Sequence, residues 1–261
     1  MSLRQEITWL LQEKYHGVEN AAFQTDLIAL QNGVPLAYLI GHTPFLDTVI
    51  DLTSHPLIPR PETEYWTEQF ITQVKSQNPQ EWNSGQGLHL LDLGAGSGAI
   101  GVAVARALPE ARVDFVEIEP VHKDTIQKNL NTNLPDLTIR ELKERYRVFI
   151  SDLFTAMPKG CVYDYILSNP PYIDREANTV DYNVEIYEPA RALFGGEKGL
   201  ETIARIIAKA PFYLKTGGEL WLEHEPFQSG TIKILGTERG LLVETRQDQY
   251  QVERFSILSK L

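Results

Sequence analysis

One cysteine, Cys161, stands in 261 residues. That scarcity excludes an internal disulfide and any metal cluster built on several thiolates, and it suits a reducing compartment. Long apolar runs are missing as well: nothing approaches the roughly 18 apolar residues of a membrane-spanning helix. The first residues, MSLRQEITWLLQEKYHG, carry Glu6 and Glu13 and lack the apolar core and cleavage site of a secretory signal, so they read as a folded helix. Positive charge is in deficit, with 24 Lys and Arg against 35 Asp and Glu and a net charge of -11. A broad cationic surface that binds nucleic acid by counterion release is thereby excluded. The six histidines are scattered, and none stands at ligand spacing from His224, which argues against a metal site. Neither a Gly-x-Ser-x-Gly elbow nor a P-loop occurs, so acyl transfer and nucleotide hydrolysis lose their usual signatures.

What is present is a hydrophobic content of 43%, enough to bury a sizeable core over this length. Residues 3–43 carry apolar positions at helical spacing, among them Ile7, Leu10, Leu11, Leu27 and Leu30. They are expected to form a small N-terminal helical domain. Alternating Thr48, Val49, Ile50 and Leu52 predict a β-hairpin linker within residues 44–60. A helix is expected from Pro61, with Glu62 and Glu64 suiting the positive end of its dipole. A polar linker over 76–87 follows. From there strand and helix alternate: strands over 88–93, 113–118, 146–150, 163–168 and 219–223, with helices between most of them. Residues 241–245 and 252–258 are expected to close the sheet as an antiparallel pair. Such alternation predicts an α/β domain over 61–261, a mainly parallel sheet with helices on both faces. Its ligands bind at the carboxyl ends of the strands.

Three candidate motifs fall at those ends. The first is Asp92-Leu93-Gly94-Ala95-Gly96-Ser97-Gly98, at the first strand-to-helix turn. Glycines there let the backbone turn tightly and approach a ligand, and helix-terminal N–H groups bind a carboxylate. Asp92 suits the ammonium of an amino-acid-like ligand better than a pyrophosphate. Gly96-Ser97-Gly98-Ala99-Ile100-Gly101 also satisfies the dinucleotide fingerprint, and Glu117 lies 21 residues beyond Gly96. The glycines alone leave adenosylmethionine, a dinucleotide and a structural turn open. Glu117 ends the second strand, where its carboxylate can accept ribose hydroxyls. Asp152, after the third strand, offers an acceptor for an adenine amino group, with Leu153 or Phe154 covering the ring.

The other strong motif is Asn169-Pro170-Pro171-Tyr172, directly after an apolar strand. Two prolines stiffen the turn. An amide or exocyclic amino nitrogen is a poor nucleophile because its lone pair is delocalised. The Asn169 side-chain oxygen and the Pro170 carbonyl can hold its two hydrogens and turn the lone pair toward a methyl donor, while Tyr172 stacks on the planar group. By itself the motif specifies a planar NH2 acceptor and leaves nucleobase and amide side by side.

Other stretches carry a resemblance. Gly33-Val34-Pro35-Leu36-Ala37-Tyr38-Leu39-Ile40-Gly41, Leu57-Ile58-Pro59-Arg60-Pro61-Glu62-Thr63-Glu64 and Glu188-Pro189-Ala190-Arg191-Ala192-Leu193 stand with the two motifs at the spacing of the release factor glutamine methyltransferases. The chain resembles that family over most of its length. Asn-Pro-Pro-Tyr is shared with adenine and guanine amino methyltransferases; the Ile-Pro-Arg-Pro-Glu-Thr-Glu string is not. The resemblance implies a class I S-adenosylmethionine-dependent methyltransferase fold, Rossmann-like with a seven-stranded sheet. It implies cofactor contacts from Gly94 to Gly98, Glu117, Leu153 and Asn169. The implied substrate is the glutamine of the Gly-Gly-Gln loop of a peptide-chain release factor, held by Asn169, Pro170, Pro171 and Tyr172. The chain departs from the family in a shorter N-terminal module and in Glu117, where Asp is common. Expected with this are a monomer, no nucleic acid or membrane partner, no metal, and a place in the bacterial cytoplasm or the mitochondrial matrix. The rivals are a nucleic-acid amino methyltransferase, a silent adenosylmethionine-binding subunit and, more weakly, a dinucleotide oxidoreductase.

Overall fold

The computed structural model describes residues 2–77, 87–177 and 180–261. Most of the expected polar linker over 76–87 therefore lies outside the described residues. Helices α1 (Leu3–Glu13) and α2 (Ala21–Gln31) and the short α3 (Leu36–Ile40) open the chain. Asn20 caps α2 by accepting the Phe23 N–H at 2.9 Å, which satisfies one of the free donors of a helix start. Leu10, Phe23 and Leu30 close a small apolar core among these helices. Gly41, at φ 92°, ends α3 in the left-handed conformation.

An antiparallel hairpin of β1 (His42–Phe45) and β2 (Thr48–Asp51) follows. It starts slightly earlier than the expected 44–60 because the turn falls at Leu46-Asp47. Leu46 takes φ 48° there, without the Gly or Asn that marks such a turn in a sequence. Its N–H is accepted at 2.6 Å by Glu64 of α4 (Pro61–Gln77), a bond between elements that no local pattern reveals.

The main sheet then builds through β3 (His89–Leu93), α5 (Ala99–Ala107), β4 (Arg112–Glu117), α6 (His122–Asn133), α7 (Ile139–Arg145), β5 (Tyr146–Ile150) and β6 (Tyr163–Ser168). It continues with α8 (Tyr182–Tyr187), α9 (Ala190–Leu193), α10 (Glu201–Tyr213), β7 (Leu214–Glu223), α11 (Ser229–Glu238), β8 (Leu241–Gln247) and β9 (Glu253–Lys260). Strand order is β5-β4-β3-β6-β7-β9-β8, parallel except for β9, which runs antiparallel to both neighbours. β7 begins at Leu214, ahead of the expected 219, because the chain stays in the sheet through Gly217, at φ 78°, with a shift of register against β6.

Both faces are packed. Trp66, Phe70, Phe115, Trp221 and Phe255 share one core, while Leu91, Leu93, Ile166, Ile203 and Leu222 share the other. Two side chains of α6 hold the hairpin to this domain: Asn129 accepts the Asp51 N–H at 2.8 Å and Asn133 accepts the Val49 N–H at 2.9 Å. The order of the strands reverses its direction of growth between β3 and β6. That is the point at which open α/β sheets leave a crevice beyond their carboxyl ends.

Candidate active site

The glycine loop follows β3 and the Asn-Pro-Pro-Tyr motif follows β6, so adjacent strands deliver both to one crevice. The Ser168 hydroxyl donates to the Leu93 carbonyl at 2.7 Å and ties the two strand ends together. A cavity of about 370 Å³ opens there. Of the residues singled out in the sequence, Gly94, Gly96, Glu117, Asp152, Leu153, Asn169 and Pro171 line it. Asp92, Ala95, Ser97, Gly98, Pro170 and Tyr172 are not among the lining residues.

The glycines of the loop do different jobs. Gly94 and Gly96 have φ 77° and 55°, and a Cβ on either would meet nothing within 4 Å. They border open space that a side chain would fill. A Cβ on Gly98 would press on Ile126, and one on Gly101 would overlap the Phe115 ring. Those two serve packing, Gly98 chiefly against α6 and Gly101 against β4.

Asp92 is buried beneath the loop. Its Oδ2 accepts the Gly101 N–H at 2.8 Å, while among the described residues its Oδ1 has no partner. Burial, with the nearby Glu117 charge, pushes its carboxyl up to about 7. Glu117 is aimed by the backbone: Oε2 accepts from Gly96 N–H at 2.7 Å and Oε1 from Glu119 N–H at 2.8 Å. Each oxygen keeps a lone pair for a further donor. An adenosyl amino-acid cofactor fits these residues. The open cradle over Gly94 and Gly96 would hold its amino-acid end, and the free lone pairs of Glu117 would accept from ribose hydroxyls.

The rim is charged. Glu119 pairs with Arg191 at 2.7 Å, and Asp152 pairs with Arg205 at 2.7 Å, so Asp152 is engaged by a guanidinium as well as lining the cavity. Leu153 sits at φ 49°, a conformation that costs a side-chain-bearing residue about 1–3 kcal/mol and that collects at functional sites. His122 also lines the cavity, and no local pattern singles it out. Thr125 donates to Ser54 at 2.6 Å, Ser54 contacts His122 Nδ1 at 2.9 Å, and burial keeps the imidazole below its ordinary range.

The second motif is wired to α4. Asn169 Nδ2 donates to Thr63 Oγ1 at 3.0 Å, and Thr63 donates to Glu223 Oε2 at 2.7 Å. The same oxygen accepts the Trp66 indole N–H at 2.6 Å, and Oε1 accepts the Tyr172 hydroxyl at 2.9 Å. Glu223 is fully buried at the end of β7. Burial pushes its carboxyl up, against the pull of the three donated hydrogen bonds. Burial and the Glu223 charge hold the Tyr172 hydroxyl well above its ordinary range, so Tyr172 is neutral. Gln228 Nε2 donates to the Tyr172 and Lys198 carbonyls, each at 2.9 Å, and braces the turn from behind. A Cβ on Gly199 would run into the Tyr172 carbonyl, which is why the chain needs glycine where it passes the motif.

Two of the distinctive stretches prove to be one assembly. Arg60 donates to buried Glu188 at 2.6 Å, and Glu188 also accepts the Ile58 N–H at 3.1 Å. Leu57 and Pro189, on either side of this junction, line the cavity.

A mainly parallel seven-stranded sheet with a glycine loop after β3 and an acid ending β4 defines a class I methyltransferase. The methyltransferase small domain family matches residues 76–197. A solved methyltransferase from Pyrococcus furiosus shares the fold at a TM-score of 0.56, with 15% identity over 90% of this chain and 97% of that one. Among curated proteins, the chain is 34% identical to the release factor glutamine methyltransferase of Rhodopirellula baltica, over 85% of its own length and 72% of the relative's. It is equally 34% identical to that of Bordetella pertussis, over 95% of its length and 87% of the relative's. The chain belongs to the release factor glutamine methyltransferase family.

Proposed function

We propose that this chain transfers a methyl group from S-adenosylmethionine to the side-chain amide nitrogen, N5, of the glutamine in the Gly-Gly-Gln loop of a peptide-chain release factor. Family membership supports the reaction class and the donor. The observation that carries the reading is the meeting of an open glycine cradle and Asn169 on one cavity, at the carboxyl ends of neighbouring strands. When bound, S-adenosylmethionine supplies an electrophilic methyl group on a sulfonium.

The protein's own task is orientation. Gly94 and Gly96 admit the amino-acid end of the donor without a Cβ in the way, Glu117 accepts from the ribose, and Leu153 covers the adenine. Asn169 Oδ1 and the Pro170 carbonyl each accept one hydrogen of the glutamine NH2, which turns the nitrogen lone pair toward the methyl. Holding two reactants in this way replaces a bimolecular encounter, an effect equivalent to very large effective concentrations. Tyr172, neutral and tied to Glu223, packs on the planar amide and takes no proton; the N–C bond forms as the S–C bond breaks to leave a neutral thioether, and the surplus amide proton passes to solvent.

Residues 1–43 serve in this reading as the module that recognises the release factor, 44–60 as its link, and 61–261 as the catalytic domain. The enzyme works as a monomer where release factors act, in the bacterial cytoplasm or the mitochondrial matrix, without a nucleic-acid partner. Among the described residues no helix is long and apolar enough to cross a membrane, and no group of His, Cys, Asp and Glu is arranged to hold a metal. Incubation with methyl-labelled S-adenosylmethionine and either a release factor or total RNA and DNA tests the choice of substrate. Label enters the release factor alone if the reading holds; label in nucleic acid alone overturns it.

A further inference from the structure

We propose that Thr63 is a positioning residue that sets the polarity of the Asn169 side-chain amide, so that the cavity is offered an acceptor and a substrate amide is chosen over the corresponding acid. The inference rests on the reading of Asn169 as the substrate-facing group.

Of the groups in this relay, Trp66 has a role that cannot be reversed. An indole N–H can only donate. Trp66 Nε1 donates to Glu223 Oε2 at 2.6 Å, and the ionised carboxylate offers only acceptors. Thr63 Oγ1 lies 2.7 Å from the same oxygen, and its single hydrogen is therefore committed to Glu223. Only lone pairs remain on Thr63 Oγ1, and Asn169 meets them at 3.0 Å. An amide oxygen facing them would set lone pair against lone pair. The NH2 group of Asn169 must face Thr63, which leaves Oδ1 on the opposite branch of the planar amide. No donor among the described residues reaches that oxygen, and Asn169 lines the cavity.

The consequence is chemical selection. An acceptor at Oδ1 pairs with an N–H of glutamine, whereas a glutamate carboxylate brings only acceptors and is repelled. Were the Asn169 amide turned over, its NH2 group would face the substrate nitrogen, donor against donor, and the glutamine would be held wrongly. Thr63 lies in the first turn of α4, within the Pro-Glu-Thr-Glu stretch, and is itself buried. The relay therefore gives that stretch a role in the reaction although Thr63 does not line the cavity.

Two substitutions separate this role from packing. Thr63→Val keeps the shape of the side chain and removes the hydroxyl; Thr63→Ser keeps the hydroxyl and removes a methyl group. The relay predicts that Thr63→Val lowers kcat on the release factor by about 10- to 100-fold, the scale of a misplaced substrate, with S-adenosylmethionine affinity unchanged. Thr63→Ser retains kcat within about threefold of the wild type. A packing role predicts the reverse order, with serine the worse of the two, and that order overturns the proposal.

A second measurement needs no turnover. In protein labelled with 15N-asparagine, the Asn169 side-chain NH2 keeps slow hydrogen exchange in the wild type and Thr63→Ser, and exchanges at least about tenfold faster in Thr63→Val. Equal exchange in all three overturns the relay. If the wild type fails to methylate the release factor, the substrate reading fails, and the exchange experiment still decides the polarity of Asn169.

Discussion

The Trp66 indole N–H donates to Glu223 Oε2 at 2.6 Å, joining residues 157 positions apart. That bond brings the first turns of α4 to the end of β7, and Thr63 and Tyr172 complete a set of three donors around one buried carboxylate. Two stretches that look independent in the sequence, Pro-Glu-Thr-Glu and Asn-Pro-Pro-Tyr, are thereby held by a single group.

Removal of that group leaves three buried donors without an acceptor. Each such orphan costs about 1–3 kcal/mol, so Glu223→Ala is expected to lower the unfolding free energy by at least about 3 kcal/mol. The urea midpoint shifts accordingly. Unchanged stability would mean that water reaches the cluster and that the carboxylate does not organise it.

Asp92 gives the protein a pH-dependent term of definite sign. Its folded-state carboxyl is raised from an ordinary 3.8 to about 7, so the folded state holds the proton more tightly than the unfolded chain. The stabilisation is complete below the ordinary value and is lost as pH rises toward 7. At pH 8 without cofactor, Asp92→Asn is expected to be more stable than the wild type by on the order of 4 kcal/mol, because a neutral amide replaces a buried charge. Near pH 4 the two converge. Denaturation curves at the two pH values check this, and a difference independent of pH contradicts it.

The division of labour among the glycines is testable by one substitution at each of two positions. Gly96→Ala fills open space at the cavity wall and holds alanine at φ 55°, a cost of about 1–2 kcal/mol. The protein still folds, and calorimetry should find S-adenosylmethionine bound at least about tenfold more weakly, the scale of one lost favourable contact. Gly101→Ala drives a methyl group into the Phe115 ring and is expected to fail at the level of folding, in yield and melting temperature. If the two variants fail alike, the assignment of Gly96 to the ligand and Gly101 to packing is wrong.

Much of this arrangement was legible in the sequence where its cause is local. The strands 146–150 and 163–168 and the helix start at Pro61 coincide with the observed elements, because apolar runs, turn residues and first-turn acids are short-range signals. Both motifs were readable for the same reason, and their meeting followed from the rule that ligands lie beyond the carboxyl ends of parallel strands. What escaped the sequence is whatever depends on a distant partner. Glu223, His122 and the Arg60–Glu188 pair have no local signature, since their partners lie far along the chain. Asp92 shows the complementary failure: its position before the glycines is legible, but its burial under Gly101 is a property of the packed helix.

At Asn169 binding of the donor and chemistry come apart. Asn169→Ala removes an acceptor from the substrate amide and leaves Gly94, Gly96 and Glu117 in place. Affinity for S-adenosylmethionine should stay within about threefold, while kcat falls by about 10²- to 10³-fold, as when one polarising group is deleted from an active site. Wild-type turnover by the variant would remove Asn169 from its assigned role.

The most direct test of the central claim is tandem mass spectrometry of a release factor co-expressed with this protein, compared with the same factor from cells lacking it. The prediction is one added methyl group on the side chain of the Gly-Gly-Gln glutamine, present with the wild type and absent with Asn169→Ala. An unmodified glutamine in both samples, from protein that is folded and binds S-adenosylmethionine, would contradict the account.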